Sequence, residues 1–345
     1  MTRPAGQRPN GTRKLLIDGL RLAASGALLA FVVWQLTDWA ELWHTLAQTR
    51  PIYLAACVGI FFLGIWISCI KWQLLLRPFG ASARLYTLMR WYLAGTFAGS
   101  FLPSDIGGDL GRGYLADRRI RNHAAVWSSI VAERLTGLAA LLLLASATLI
   151  FSPALLSWSP FVPLITLAIV ALLSVGGWLA LSYAARLSWL PNKLRSGLMQ
   201  AGDAFRTYAR HPGALALCLA LSLLFHLLSI LSLWCVLLAL APETSLRTAF
   251  VWPLVSLIGL LPLTPGGLGV REGAQAVLLE RAGVDGGVAI AAALLTRMLL
   301  WLVAMAGLPA LLSELGEWRG PRELRLQPAL DAENSPDQRP EESMA

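Results

Sequence analysis

Charged side chains are scarce in this sequence. Asp, Glu, Lys and Arg together make up 14% of its 345 residues, whereas hydrophobic residues make up 56%. Soluble domains carry about 25% charged residues, so the composition excludes an ordinary soluble enzyme or binding domain. The class that this composition predicts is an integral membrane protein.

Motifs of familiar catalytic and metal sites are also missing. The sequence contains no HExxH, GxSxG or Walker motif, so the signatures of zinc proteases, α/β-hydrolases and P-loop ATPases are absent. The four cysteines lie in apolar runs without CxxC spacing, which argues against a zinc site or a disulfide framework. We expect no cofactor, no metal ion and no attached soluble catalytic domain.

Long apolar runs are abundant instead. A helix needs about 20 residues to cross the hydrocarbon core of a bilayer, and six runs are long enough, at residues 15–36, 52–70, 124–151, 161–184, 213–241 and 288–312. Two more, 86–103 and 247–265, lead directly into segments rich in Pro and Gly, so we expect them to enter the membrane without crossing it. The predicted fold class is an all-α polytopic membrane protein with about six full spans plus two re-entrant or broken elements.

The sequence carries a net charge of +8, from 28 Lys and Arg against 20 Asp and Glu. The basic residues cluster in alternate loops, which is typical of cytoplasmic loops in membrane proteins. We therefore expect no nucleic-acid partner. Both termini are predicted to be cytoplasmic, with a basic segment at residues 1–14 and a disordered polar tail at residues 316–345.

One motif, Pro-x-x-x-Gly-Gly-x-x-x-Arg, occurs twice with identical spacing. Its residues are Pro103, Gly107, Gly108 and Arg112 in the first copy, and Pro262, Gly266, Gly267 and Arg271 in the second. Each copy precedes an apolar run that contains an arginine, Arg134 in the first case and Arg297 in the second. The alternative is that both segments are turns in loops, because Pro and Gly are common there.

This duplication predicts two membrane repeats, residues 15–151 and residues 152–315. Each repeat would cross the membrane three times, so the second would be inverted relative to the first. In transporters with inverted repeats, the broken elements meet near the middle of the membrane and form the substrate site. We therefore expect the two motifs to lie close together.

Charged residues inside the apolar runs need partners. A charge at the centre of a membrane-spanning helix costs roughly 2.5–3.5 kcal/mol on insertion scales. Glu133 and Arg134 are adjacent, and adjacent side chains point about 100° apart on a helix, so we expect each to pair with another element. The candidate partners are Arg112 or Arg271 for Glu133, and Asp105, Asp109 or Glu272 for the arginines.

Two interpretations of these charges are compatible. The ion pairs can serve only to hold the broken elements in place, or the arginines can bind an anionic group, since a guanidinium matches phosphate geometry. Backbone N–H groups of the two Gly-Gly pairs can add to an anion site. Asp105 and Asp109 lack the further ligands that a metal site requires.

Three segments, FAGSFLPSDIGGDLGRGYLADR, VAERLTGLAALLLL and LPLTPGGLGVREG, resemble the lysylphosphatidylglycerol synthase transmembrane-region family. This is the flippase-like domain that also occurs as YbhN-like stand-alone membrane proteins, and the resemblance covers about residues 15–315. In full-length relatives a separate cytoplasmic domain makes the lipid, so the resemblance implies no synthase activity for this chain. The family motifs fall on Asp105, Gly107, Gly108, Asp109, Arg112, Glu133, Arg134, Pro265, Gly266, Gly267 and Glu272.

The resemblance implies a lipid translocase, flippase-like or scramblase-like, in a bacterial inner membrane. We expect Arg112, Arg134, Arg271 and Arg297 to bind the phosphate of a phospholipid or glycolipid with an anionic or aminoacylated headgroup. The carboxylates would hold those arginines or meet a cationic part of the headgroup. Two alternatives are an intramembrane lipid-modifying enzyme that uses a carboxylate as acid or base, and an accessory subunit of an envelope lipid or polymer synthesis system. Membrane lipids are the expected partners, with a homo-oligomer or an envelope-biosynthesis protein as further candidates.

Overall fold

A computed structural model describes residues 49–101, 107–151, 199, 202–204, 206–260, 264 and 267–316. Most of these residues lie in helices, and no strand occurs among them. The predicted fold class is confirmed, because the protein is an all-α polytopic membrane protein. The apolar runs 15–36 and 161–184, the N-terminal segment 1–14 and the tail beyond residue 316 lie outside the described residues.

Ten α-helices have both of their ends within the described residues. In chain order they are α1 (Pro51–Leu76), α2 (Leu85–Phe101), α3 (Gly107–Ile120), α4 (His123–Phe151), α5 (Pro212–Leu240), α6 (Leu246–Ala249), α7 (Trp252–Ile258), α8 (Val270–Arg281), α9 (Gly286–Met305) and α10 (Gly307–Gly316). Four helical segments of this part are long and apolar enough to cross a membrane: Pro51–Phe79, His123–Leu149, Pro212–Leu240 and Gly286–Glu314. They coincide with four of the six predicted full spans.

The two long helices α1 and α5 pack along each other and form the centre of the described structure. Both begin with a proline in the first turn, where its missing N–H costs nothing. Gly64 of α1 leaves room for the ring of Phe225 on α5, and the thiol of Cys57 lies 3.0 Å from the hydroxyl of Ser232. The four cysteines are buried and free, as the sequence predicted.

The described parts of the two predicted broken elements are helices shorter than a full membrane span. Helix α2 ends at Phe101 and helix α3 begins at Gly107. The run 247–265 forms two short helices, α6 and α7, of 4 and 7 residues. Both lengths fall far below the number of residues needed to cross a membrane as one helix.

Glycines allow α2 and α3 to approach closely. A Cβ atom on Gly95 would lie 2.7 Å from the carbonyl oxygen of Gly108, and a Cβ on Gly99 would lie 3.4 Å from the Cα of Gly108. The spacing Gly-x-x-x-Gly on α2 is typical of such close helix contact. This approach brings the side chains of α3 against α2 and α4, where the candidate site lies.

Candidate functional site

Arg112 is the centre of a buried ion-pair cluster in the first half of the chain. Its Nη1 donates to Glu133 Oε2 at 2.8 Å, and its Nε donates to Asp109 Oδ1 at 3.0 Å. The guanidinium also lies 4.8 Å from the ring of Trp72 and 4.6 Å from the ring of Tyr92. Both carboxylates and both rings therefore stabilise the buried charge of Arg112.

Asp109 also holds a second arginine. Arg134 Nε donates to Asp109 Oδ2 at 2.5 Å, while 60% of the Arg134 side chain is exposed. Glu133 and Arg134 thus pair with α3 and not with each other, which confirms the expectation drawn from their adjacency on one helix. Asp109 bridges two arginines, one buried and one open.

A second cluster forms between α8 and α9. Glu272 accepts from Arg297 Nε through Oε1, and from the backbone N–H of Gly269 through Oε2 at 2.7 Å. One turn further along α8, Gln275 Nε2 donates to Thr296 Oγ1 at 3.3 Å. The Glu272 carboxylate therefore fixes both the start of α8 and the position of Arg297.

The two clusters repeat each other at a constant sequence separation. The partners in the pairs Asp109–Arg134 and Glu272–Arg297 are each 25 residues apart. The partners in the pairs Arg112–Glu133 and Gln275–Thr296 are each 21 residues apart. The two copies therefore have interacting side chains at equivalent positions. At one of these positions the first copy has a buried ion pair, and the second has a neutral hydrogen bond.

The helix starts show the same register. Val270, which begins α8, lies 163 residues after Gly107, which begins α3, and Gly286 lies 163 residues after His123. The residues just before α4 and α9 are also equivalent, since Asn122 Oδ1 accepts from Ala125 N at 3.0 Å and Asp285 Oδ1 accepts from Gly287 N at 2.9 Å. These caps fix where the second helix of each pair begins.

This register corrects the sequence alignment of the two motifs. The motif equated Arg112 with Arg271, but the structure equates Arg112 with Gln275 and Gly108 with Arg271. Helix α3 begins at Gly107 itself, whereas Gly267 and Gly269, with φ of 65° and 80°, form a turn before α8. The Gly-Gly pair of the second copy therefore lies about one helical turn before the structural equivalent of the first.

A polar cavity of about 250 Å³, here called the central cavity, lies between the two clusters. Helices α2, α3, α4, α8 and α9 all contribute to its wall, which includes Gly108, Asp109, Arg112, Arg134, Arg271 and Arg297. Glu133 and Glu272 lie beside the wall and pair with the arginines. Asp105, Pro265 and Gly266 lie outside the described residues, Gly107 begins α3, and Gly267 lies in the turn before α8.

The wall of the central cavity is positively charged. Four arginines line it, against one carboxylate, Asp109. Arg271 lies 4.9 Å from the ring of Trp252, which orients its guanidinium in the second copy much as Trp72 and Tyr92 orient Arg112 in the first. An anionic group is the ligand that such a wall binds most favourably.

Residues 20–307 match the family model described as the lysylphosphatidylglycerol synthase TM region. The chain belongs to this family. The chain is also 24% identical over 297 residues to a UPF0104 membrane protein of Methanothermobacter thermautotrophicus, an alignment that covers 79% of this chain and 88% of the relative. A second UPF0104 membrane protein of that organism is 24% identical over 302 residues, covering 79% of this chain and 86% of the relative.

An apolar cavity of about 330 Å³ adjoins the central cavity in this family member. Tyr92, Thr96, Arg271 and Leu300 line both cavities, and the rest of the apolar cavity lies mainly between α1, α5 and α7. Sequence reasoning did not find Tyr92 or Thr96. Each is a single weakly polar residue in an apolar run, so no local signal separates it from ordinary packing.

Two further residues of the candidate site were also not predicted. Gln275 and Thr296 were not candidates because they are uncharged, although both are buried. The carboxylate and the arginine are 25 residues apart in both copies. Aligning the copies on this spacing would have identified Gln275 and Thr296 as the equivalents of Arg112 and Glu133. His226, inside the long helix α5, lies with Nε2 at 3.1 Å from the carbonyl oxygen of Gly137. The described residues contain no group of three or more His, Cys, Asp or Glu that can hold a metal ion.

Proposed function

We propose that this protein translocates a lipid with an anionic headgroup between the leaflets of a bacterial inner membrane. The observation that carries the proposal is the central cavity, with four arginines in a wall built from both copies of the motif. Irregular backbone within a membrane is tolerated where it lines such a polar cavity. The family match supports a role at membrane lipids in general, and transport is the specific role that we infer.

The two equivalent arginines, Arg134 and Arg297, are the best candidates for contact with the lipid phosphate. Each is held by one carboxylate 25 residues earlier, Asp109 or Glu272, which orients the guanidinium and shares its charge. An arginine has five N–H donors, so a guanidinium that binds a carboxylate can also bind a phosphate oxygen. The lipid phosphate would then move between two similar ligands, one from each copy.

The adjoining apolar cavity suits the hydrocarbon part of the same lipid. Its wall is mainly aliphatic and aromatic, and it meets the central cavity at Arg271 and Tyr92. A phospholipid has the same arrangement, with a charged headgroup next to acyl chains. Two adjoining cavities of opposite character therefore favour a lipid over a small soluble anion.

The charges favour a net anionic lipid over an aminoacylated one. Among the described residues near the central cavity, Asp109, Glu133 and Glu272 are all bound by arginines. A cationic amine of an aminoacyl group would have to compete with these arginines for a carboxylate. The same pairing disfavours the lipid-modifying enzyme, because an acid or base at Asp109 or Glu133 would first have to leave its arginine.

Translocation in liposomes tests the proposal. Purified protein is reconstituted with a fluorescent phosphatidylglycerol, and a membrane-impermeant quencher reports how much label reaches the outer leaflet with time. Wild-type protein should accelerate the exchange over empty vesicles. Arg134→Gln and Arg297→Gln should each slow it by about tenfold, since one charge-assisted hydrogen bond contributes roughly 1.5–3 kcal/mol.

Arg206→Gln is the matched control. Arg206 pairs with Asp203 at 2.9 Å on an exposed surface away from the cavity, so its loss should leave the rate unchanged. Equal rates for wild-type protein, both cavity variants and empty vesicles would contradict transport. Slower exchange in the Arg206→Gln protein as well would show that the effect is not specific to the cavity.

A further inference from the structure

Lys71 is a buried basic residue that does not line the central cavity. It lies on α1 with 4% of its surface exposed, next to Trp72. Within the part of the chain that the structure describes, no carboxylate forms an ion pair with its ammonium group. A buried ammonium without a counter-ion is strongly unfavourable unless a ligand supplies the opposite charge.

The Lys71 side chain lines a third cavity of about 210 Å³, here called the Lys71 cavity, whose wall contains both charged and apolar residues. Its charged wall consists of Lys71, Arg112, Arg134 and Glu133. Glu133 is bound to Arg112 at 2.8 Å, and Asp109 binds both Arg112 and Arg134, so three basic side chains face two carboxylates that the arginines already engage. The Lys71 cavity thus has room and surplus positive charge for an anion.

The Lys71 cavity and the central cavity share one wall. Tyr92, Arg112 and Arg134 line both. A headgroup held by Arg134 in the central cavity would therefore have a second cationic subsite on the far side of the same arginines. In the sequence, Lys71 directly follows the apolar run 52–70, and the structure places it inside α1.

We propose that the Lys71 cavity binds a second anionic group of the transported lipid. This inference rests on the proposed function and narrows its substrate class to lipids whose headgroup carries two anionic groups, such as two phosphates or a phosphate and a carboxylate. Lys71 supplies the charge that recognises the second group, while Arg134 contacts both groups. A free anion such as diphosphate has the same chemistry without the acyl chains.

The test compares two lipids in the same vesicles. One is acyl-labelled phosphatidylglycerol, and the other is the same lipid with a second phosphate on its terminal glycerol hydroxyl. Lys71→Met should slow translocation of the two-phosphate lipid by about tenfold, the effect of one lost charge-assisted contact. Its effect on phosphatidylglycerol should be less than about twofold, and Lys71→Arg should restore most of the difference.

Thermal unfolding in detergent with added diphosphate gives a second readout. Diphosphate should raise the unfolding temperature of the wild-type protein, because ligand binding stabilises the folded state by mass action. Lys71→Met should reduce that shift, since the central cavity can still bind one phosphate group. If the wild-type protein moves neither lipid, the proposed function is refuted. The effect of diphosphate on the unfolding temperature would still test whether Lys71 binds an anion. A diphosphate shift without any preference between the two lipids would overturn the lipid assignment and indicate a site for free anions.

The stability of the variant itself is also decisive. Methionine matches the length of lysine without its charge, so Lys71→Met should fold and express as well as the wild-type protein if Lys71 is unpaired. Failure of Lys71→Met to fold would mean that Lys71 neutralises a structural carboxylate, which would overturn the proposal. Equal slowing of both lipids would overturn it as well.

Discussion

Replacing Glu133 by glutamine removes the charge that faces Arg112 and keeps the shape of the side chain. Arg112 and Glu133 are both nearly inaccessible, with side chains 4% and 7% exposed, and their atoms are 2.8 Å apart. Breaking a buried ion pair by removing one partner costs about 3–5 kcal/mol. Asp109 Oδ1 still accepts from Arg112 Nε at 3.0 Å, so we expect the lower end, about 3 kcal/mol.

The second copy of the motif suggests a double variant that should restore the lost stability. Gln275 and Thr296 occupy the positions of Arg112 and Glu133 and form a neutral hydrogen bond of 3.3 Å. The double variant Arg112→Gln, Glu133→Thr copies that pair into the first copy. Replacing both partners of a buried pair is far less costly than removing one, so the double variant should recover most of the stability that Glu133→Gln loses.

Thermal unfolding of the purified protein in detergent measures both effects. A loss of about 3 kcal/mol corresponds to a fall of about 6 °C, at about 2 °C per kcal/mol for a large chain. Asp203→Asn is the control, because that carboxylate forms an exposed pair and should change the unfolding temperature very little. An unchanged unfolding temperature for Glu133→Gln, or a double variant no more stable than the single one, would refute this reasoning.

Two other predictions follow from the packing and from the repeat. Gly95→Ala should destabilise the protein by about 1–3 kcal/mol, because its Cβ would lie 2.7 Å from the Gly108 carbonyl oxygen. Gly137→Ala, where nothing lies within 4 Å, should be tolerated, and equal unfolding temperatures of the two variants would contradict the close helix approach. Single cysteines at Asp109 and Gly267, in a protein without the four native cysteines, should react with an impermeant reagent from opposite sides of the membrane. Reaction from the same side would contradict the inverted repeat.

The length and apolar composition of the runs were enough to predict the four long helices of the described part of the chain. The runs 124–151 and 213–241 correspond to α4, His123–Phe151, and α5, Pro212–Leu240. Length and apolar composition decide these helices, because a membrane requires each spanning segment to satisfy its own backbone hydrogen bonds. The interruption between Ala249 and Trp252 was not predicted, because the Pro and Gly residues of the motif follow only from Pro262 onward.

The register between the two copies was not predictable from the motif alone. Gly107 lies inside a helix, whereas Gly267 has a positive φ and lies in a turn, and the sequence Gly-Gly is the same in both. Aligning the two copies on the carboxylates Asp109 and Glu272 gives the correct register. Each carboxylate must face its arginine on the next helix, whereas a glycine has no side-chain partner that fixes its position. The aromatic partners of Arg112 depend on tertiary packing of α1 and α2, which no local pattern encodes.

The central claim is that the positively charged cavity selects a net anionic lipid for transport. The most direct measurement is the rate of transbilayer movement of three labelled lipids in vesicles with wild-type protein: phosphatidylglycerol, phosphatidylcholine and lysylphosphatidylglycerol. The account predicts that phosphatidylglycerol moves about tenfold faster than either of the others, as one unmatched charge would cause. Equal rates for all three lipids, or fastest movement of the aminoacylated lipid, would contradict it.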